Sequence, residues 1–230
     1  MVGYAGDVEI SNCYNTGAIG SSDGSSTVVG GIVGYDINYT STISNCSNSG
    51  KINGNSNIGG LAGNVNATFE KCFNSGYVSG ESYVGGLVGY ANGAINNCYN
   101  TGTVTGSNKY IGGLCGLKYN TRLISNCYNT GYISGGDAIG ALVGEIGSTV
   151  PVNCYYLATN IDAVGNEMYT PTSAESKTAE EFASGEVAVL LQKNNSENVW
   201  GQDLKENESD DGIDENEKNQ FDSSEENEEF

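Results

Sequence analysis

Histidine is absent from the 230 residues, while proline and methionine occur twice each and tryptophan once. Without an imidazole the chain lacks the commonest metal ligand, the base of a Cys–His or Ser–His pair, and the HExxH pattern of zinc peptidases. Scarce proline excludes polyproline linkers, so breaks in the chain fall to the 34 glycines. Basic side chains are also few, nine against 28 acidic ones, for a formal charge of −19. That balance disfavours nucleic acid and anionic membranes as partners. No apolar run approaches the roughly 18 residues of a spanning helix, so no membrane insertion is expected. No signal peptide opens the chain, but a chain that starts inside a repeat would have lost one.

What is present is a repeat. ISNCYNTG stands at residues 10–17 and again, letter for letter, at 124–131. Variants follow the same pattern: ISNCSNSG at 43–50, FEKCFNSG at 69–76, INNCYNTG at 95–102, and a last partial copy, VNCYY, at 152–156. Between them lie VGGIVG (29–34), IGGLAG (58–63), VGGLVG (84–89), IGGLCG (111–116) and IGALVG (139–144), starting 29, 26, 27 and 28 residues apart. A unit of this length, built from short runs of Val, Ile, Thr and Tyr with glycine at each break, has strand character. One unit cannot bury its own apolar face, but stacked units share a core. The expected fold is all-β, a parallel β-solenoid of about six coils over residues 1–157, right-handed by the usual sense of parallel crossovers. Met1-Val2-Gly3-Tyr4 aligns with Leu87-Val88-Gly89-Tyr90, so the chain is read as starting inside a repeat, as a fragment would.

Alternation along CYNTGTVTG assigns faces. Cys98, Asn100 and Val104 share one parity and are expected inside, with Tyr99 on the other. Two internal columns follow, Cys13, Cys46, Cys72, Cys98, Cys127 and Cys154, and Asn15, Asn48, Asn74, Asn100 and Asn129. Stacked asparagine amides can hydrogen-bond along the coil axis and so tolerate burial. The cysteines lie 33, 26, 26, 29 and 27 residues apart with no C-x-x-C pair, which fits no zinc motif. They are read as buried thiols acting as small hydrophobes, with one or two oxidised pairs as the alternative. Neither metal nor cofactor is expected.

The sequence after residue 157 changes character. Residues 158–204 are expected to form a capping segment. Thr178 and Glu181 make a capping-box pattern, followed by apolar residues at helical spacing, and Gly185 marks a point where the run can split. Phe182, Leu190, Leu191 and Trp200 are predicted to cover the open end of the rod, which would otherwise expose a sheet edge and a core. Residues 205–230 are nearly devoid of apolar side chains and are predicted to be a disordered acidic tail. The outward stripe Tyr14, Phe73, Tyr99, Tyr128 and Tyr155, interrupted by Ser47, is the candidate binding surface; it also reads as rings that simply cover the sheet. Loops 20–28 and 35–42 are the longest insertions and the candidate binding loops.

The GG-[LI]-x-G segments followed by ISNCYNTG resemble the GLUG repeat over residues 1 to about 157, and 177–204 is similar to a stretch that often follows such repeats. Departures are local: Ala141 replaces the second glycine of the last copy, and Lys71 stands where Asn97 and Asn126 stand. The resemblance implies a non-catalytic, stalk-like or adhesive module of a secreted or surface bacterial protein, or the non-catalytic part of an immunoglobulin A peptidase. It implies an extracellular or cell-surface location, a host glycan or matrix protein as partner, and a monomeric module within a larger chain. Against a polysaccharide-cleaving β-helix, the carboxylates Asp7, Glu9, Asp23, Asp36, Glu70, Glu81, Asp137 and Glu145 fall at different places in the unit. Against ice binding, the threonine row Thr101, Thr103 and Thr105 is replaced by Ser75, Tyr77 and Ser79 one coil earlier.

Overall fold

A computed structural model of the chain describes residues 1–21, 23–159, 161–167 and 173–201. The predicted disordered tail, 205–230, lies outside the described residues. The chain winds as a parallel β-solenoid of about six coils, and a full coil adds one strand to each of five parallel sheets. A central coil runs through Val88–Ala91, Ile95–Asn96, Tyr99–Asn100, Val104–Gly106 and Lys109–Gly112. The register follows the repeat: Asn74 pairs with Asn100 and Asn100 with Asn129, while Val78 pairs with Val104 and Val104 with Ile133.

Corners are made by residues in the left-handed region. Asn12, Asn45, Asn97, Asn126 and Asn153, each just before a column cysteine, have φ of 50–53°. Asparagine enters that region at low cost because its short amide bonds locally. Lys71 holds the same turn at φ 54° without that advantage. This is the physical content of the N-C pair in the repeat.

The interior has two apolar columns. One holds the cysteines with Leu87, Val88, Ala91 and Ile95 and their equivalents; the other holds Ile58, Val78, Val84, Val104 and Ile111. Between them runs the asparagine ladder. Asn48 Nδ2 donates to Asn74 Oδ1 at 2.7 Å, Asn74 to Asn100 and Asn100 to Asn129 at 2.8 Å each. Each amide also closes its own turn, as Asn100 does with the Gly102 carbonyl (2.8 Å) and amide (3.2 Å). A polar group is therefore fully buried yet bonded on every side. Glycine supplies the room. A Cβ on Gly86 would lie 2.1 Å from the Gly113 carbonyl oxygen and 2.5 Å from Asn100 Cγ, and one on Gly102 would lie 2.1 Å from the Gly76 carbonyl oxygen. Ala141 replaces the equivalent of Gly86 only in the coil where the ladder has ended, since the register partner of Asn129 is Tyr156.

Cys46, Cys72, Cys98, Cys127 and Cys154 are buried, free thiols; Cys13 is also free but exposed, which corrects its placement as an internal residue. Its coil is the first, so no neighbour covers that side. Burial holds the Cys98 and Cys127 thiols well above the ordinary range and pushes Cys115 up to about 12. Only the thiolate is nucleophilic. Native protein should therefore react rapidly with dithionitrobenzoate at one of its seven thiols, and at all seven after guanidinium is added. Fast modification of two or more native thiols would contradict the packed column.

Winding continues past residue 157. Val164–Glu167 pairs with Val143–Ile146, and Glu175–Lys177 pairs with Tyr155–Leu157. Ala163 and Val164 are buried against the first apolar column, and Ile161 packs on the second. The end of the core is covered by this partial coil. The two helices predicted as an end cap lie elsewhere, on the outer side of the rod.

Candidate functional site

The third sheet carries an outward column in which Tyr14, Ser47, Phe73, Tyr99, Tyr128 and Tyr155 pair in register. Phe73 and Tyr99 stack with centroids 4.9 Å apart and planes 2° from parallel; Tyr99 and Tyr128 repeat this at 4.9 Å and 4°. The spacing is that of neighbouring strands, so the sheet itself sets the stack. Serine at 47 isolates Tyr14, which is 70% exposed.

The C-terminal segment lies across this stack as a strap. Helix α1 (Ala179–Ala183) starts at Thr178, whose Oγ1 accepts from the Glu181 amide at 3.2 Å while Glu181 Oε2 accepts from the Thr178 amide at 2.7 Å. Gly185, at φ 83°, separates it from α2 (Glu186–Gln192). Val187 and Leu191 are buried against Tyr155, with Phe182, Leu190, Trp200 and Tyr128 packed around them. Trp200 leans over Tyr99 and Tyr128 at centroid distances of 6.0 and 5.5 Å, and its Nε1 donates to Asn97 Oδ1 at 3.3 Å. Gln192 Oε1 accepts from the amides of Val199 and Trp200, which fixes the return of the chain toward the stack.

Apolar burial, not charge, holds the strap. Each buried large side chain contributes roughly 1.5–3 kcal/mol. The ion pair from Lys71 to Glu197, at 3.3 Å, is largely exposed and adds little. The Tyr128 phenol is raised well above its ordinary range, first by burial and then by Tyr99, and Tyr99 is raised by burial. A cleft of 470 Å³ remains between strap and sheet, lined by Tyr128, Thr130, Phe182, Val187, Leu191 and Trp200 among others.

Of the five residues read as an open stripe, Tyr155 is only 5% exposed, and Tyr99 and Tyr128 lie under Trp200. Phe73 is half-buried. A free surface along the whole stripe is therefore corrected to an aromatic seat, largely filled by the chain's own helices. Of the landing contacts, Asn97 carried no signal in the sequence, since it sits at a repeat corner, whereas Lys71 stood out there as a departure from asparagine. On the first sheet Tyr35 and Tyr90 share an outward column, with Tyr39 and Tyr119 on turns that leave it. Loop 35–42 was read as a candidate binding loop, whereas Tyr90 and the turn 119–123 were missed, although tyrosine follows the last glycine of both VGGIVG and VGGLVG. Among the described residues, no three His, Cys, Asp or Glu side chains group as a metal site would need, and no helix is long and apolar enough to cross a membrane.

The GLUG motif matches residues 25–53 and 80–105. No curated protein matches the chain. Among solved structures, the chain is similar to a candidate immunoglobulin A1 protease from Bacteroides ovatus, with a TM-score of 0.59 and 21% identity, over 81% of this chain and 64% of that one. At that identity the likeness speaks for the fold, and this chain spans somewhat less than two thirds of that protein's length. The matched segments cover the VGGIVG and ISNCSNSG units of one coil and the VGGLVG and INNCYNTG units of another, and their strands stack in register with the remaining coils: the chain carries the GLUG motif in two coils of a regular solenoid.

Proposed function

We propose that this chain is a non-catalytic module of an extracellular bacterial protein, acting as a stalk or scaffold and in adhesion to host or neighbouring-cell surfaces. The observation that carries the reading is the interior, where two repeated polar columns are spent on packing. From Cys46 to Cys154 the cysteine column is buried, and the asparagine amides bond one another, so these buried positions serve the packing and not a reaction. Six coils at the strand spacing give a stiff rod of about 29 Å. Such a rod holds its ends apart and presents its faces without hinge motion.

The likeness to a candidate immunoglobulin A1 protease supports a second form of the same reading, in which the rod is the non-catalytic part of a large secreted peptidase. Both forms make one testable statement. The purified chain should bind at least one partner in a screen of glycans and host matrix proteins, and should leave immunoglobulin A1 and acidic polysaccharides uncleaved. Turnover of either substrate by the chain alone, or a blank binding screen with folded protein, would overturn the proposal.

A further inference from the structure

The outer face of the first sheet carries the column Tyr4, Tyr35, Asn64, Tyr90 and Leu117. Where its strands turn toward the second sheet, two long turns, 37–41 and 119–123, flank two short ones, 66–67 and 92–94. The long turns belong to coils three steps apart, about 14 Å along the rod. They nonetheless lean together: the Arg122 guanidinium carbon lies 5.5 Å from the centre of the Tyr39 ring. Tyr39 is 46% and Tyr119 64% exposed, and Arg122 is exposed. Tyr90, half-buried, stands in the outward column on a coil that lies between the two long turns.

Both turns are braced from beneath. Asp36 Oδ1 accepts from Ser41 Oγ at 3.0 Å and the Asn38 amide at 3.4 Å, and Asn66 Nδ2 donates to the Ile37 carbonyl. The buried Lys118 ammonium donates to the carbonyls of Asn92 (3.4 Å) and Asn120 (3.3 Å); Ser148 Oγ donates to the Tyr119 carbonyl at 3.2 Å. The aromatic side chains are thus presented on fixed backbone, which lowers the ordering cost of binding. Charge on this face is unusual for the chain. Arg122 is the single arginine, and despite 28 acidic residues it forms no ion pair among the described residues.

We infer that this face binds a carboxylate-bearing glycan, with Tyr39, Tyr90 and Tyr119 lying against the sugar rings and Arg122 taking the carboxylate. Sugar C–H faces pair with aromatic rings, and a guanidinium pairs bidentately with a carboxylate. Asn64 stands in the same outward column between Tyr35 and Tyr90, and its amide suits hydroxyl groups better than an apolar protein helix. The inference rests on the adhesive reading above and supplies its ligand class.

The test uses the full chain and its Arg122→Gln and Tyr39→Ala/Tyr119→Ala variants, titrated with sialyllactose and galacturonate oligomers beside lactose and immobilised matrix proteins. Binding of an acidic glycan is expected, weakened roughly tenfold or more by Arg122→Gln, which removes a charged bidentate contact, and by the tyrosine double variant, which removes the rings under the sugar. Unchanged melting curves would show that the variants fold. Equal acidic-glycan affinity in Arg122→Gln overturns the inference. Binding only of lactose or matrix protein, indifferent to Arg122, overturns this site while leaving the adhesive reading in place. Failure to bind anything overturns both.

Discussion

Replacing Asn100 by alanine is expected to cost about 2–4 kcal/mol of stability, whereas the same change at Asn15 costs under about 1 kcal/mol. The two residues make the same kind of bonds. Asn100 donates to the Gly102 carbonyl and to Asn129 Oδ1, and accepts from Asn74 Nδ2 and the Gly102 amide. Its site is fully buried, so each group deprived of a partner remains dry. Asn15 sits half-exposed in the first coil, where water replaces what the amide loses. Asn100→Asp separates bonding from volume. The side chain keeps its shape, but a carboxylate oxygen then faces the Asn129 carbonyl oxygen in a dry interior, and the loss should be at least as large as for alanine. Urea midpoints for the three variants decide the matter. Equal effects at positions 15 and 100, or a tolerated aspartate, would mean that the ladder fills space without holding the coils.

Much of this was legible because the repeat prints each position several times. Parity placed Cys98, Asn100 and Val104 inside from one nine-residue stretch, and all three are fully buried. The ladder's end at Tyr156 and the alanine at 141 stood in the sequence as separate irregularities. The coordinates join them, because the second glycine of each unit faces the ladder asparagine and loses its reason where that asparagine is absent. The helices at 179–183 and 186–192 were legible too, from the capping box and Gly185. Their landing place was not. Apolar spacing says that a helix needs a partner face, and two were on offer, the open end and the tyrosine stack. The partial coil at 161–167 closes the first, and its short strands lack the repeat's motif. A reading based on repetition cannot register an element that occurs once. The tyrosine face with Arg122 was legible by half: 35–42 stood out as a long insertion, while 119–123 did not, and nothing in the sequence said that the two turns lean together.

Ending the chain after Lys177 is expected to leave the coils wound but the protein self-associating, in contrast to a chain ended after Gly201. The shorter form loses Phe182, Val187, Leu191 and Trp200, and so uncovers the faces of Tyr99, Tyr128 and Tyr155 together. A contiguous aromatic patch on a regular sheet face is a site for association. Far-UV circular dichroism should keep its strand signal while light scattering and dye binding rise. A point change gives the same result in milder form: Leu191→Asp puts a charge against Tyr155 and Val187, and emission from the single tryptophan, Trp200, should shift to the red as the strap lifts. Alkali should do likewise in the wild type. Burial raises Tyr99, Tyr128 and Tyr155 above the ordinary phenol value of 10.0, so the strap favours their neutral forms. That contribution is complete below pH 10 and is lost as pH climbs through the raised values. Phenol titration at 295 nm should accordingly begin earlier in the shortened chain. A shortened chain that stays monomeric, binds no dye and titrates like its parent would show that the strap merely rests on the stack, and that the aromatic seat needs no cover.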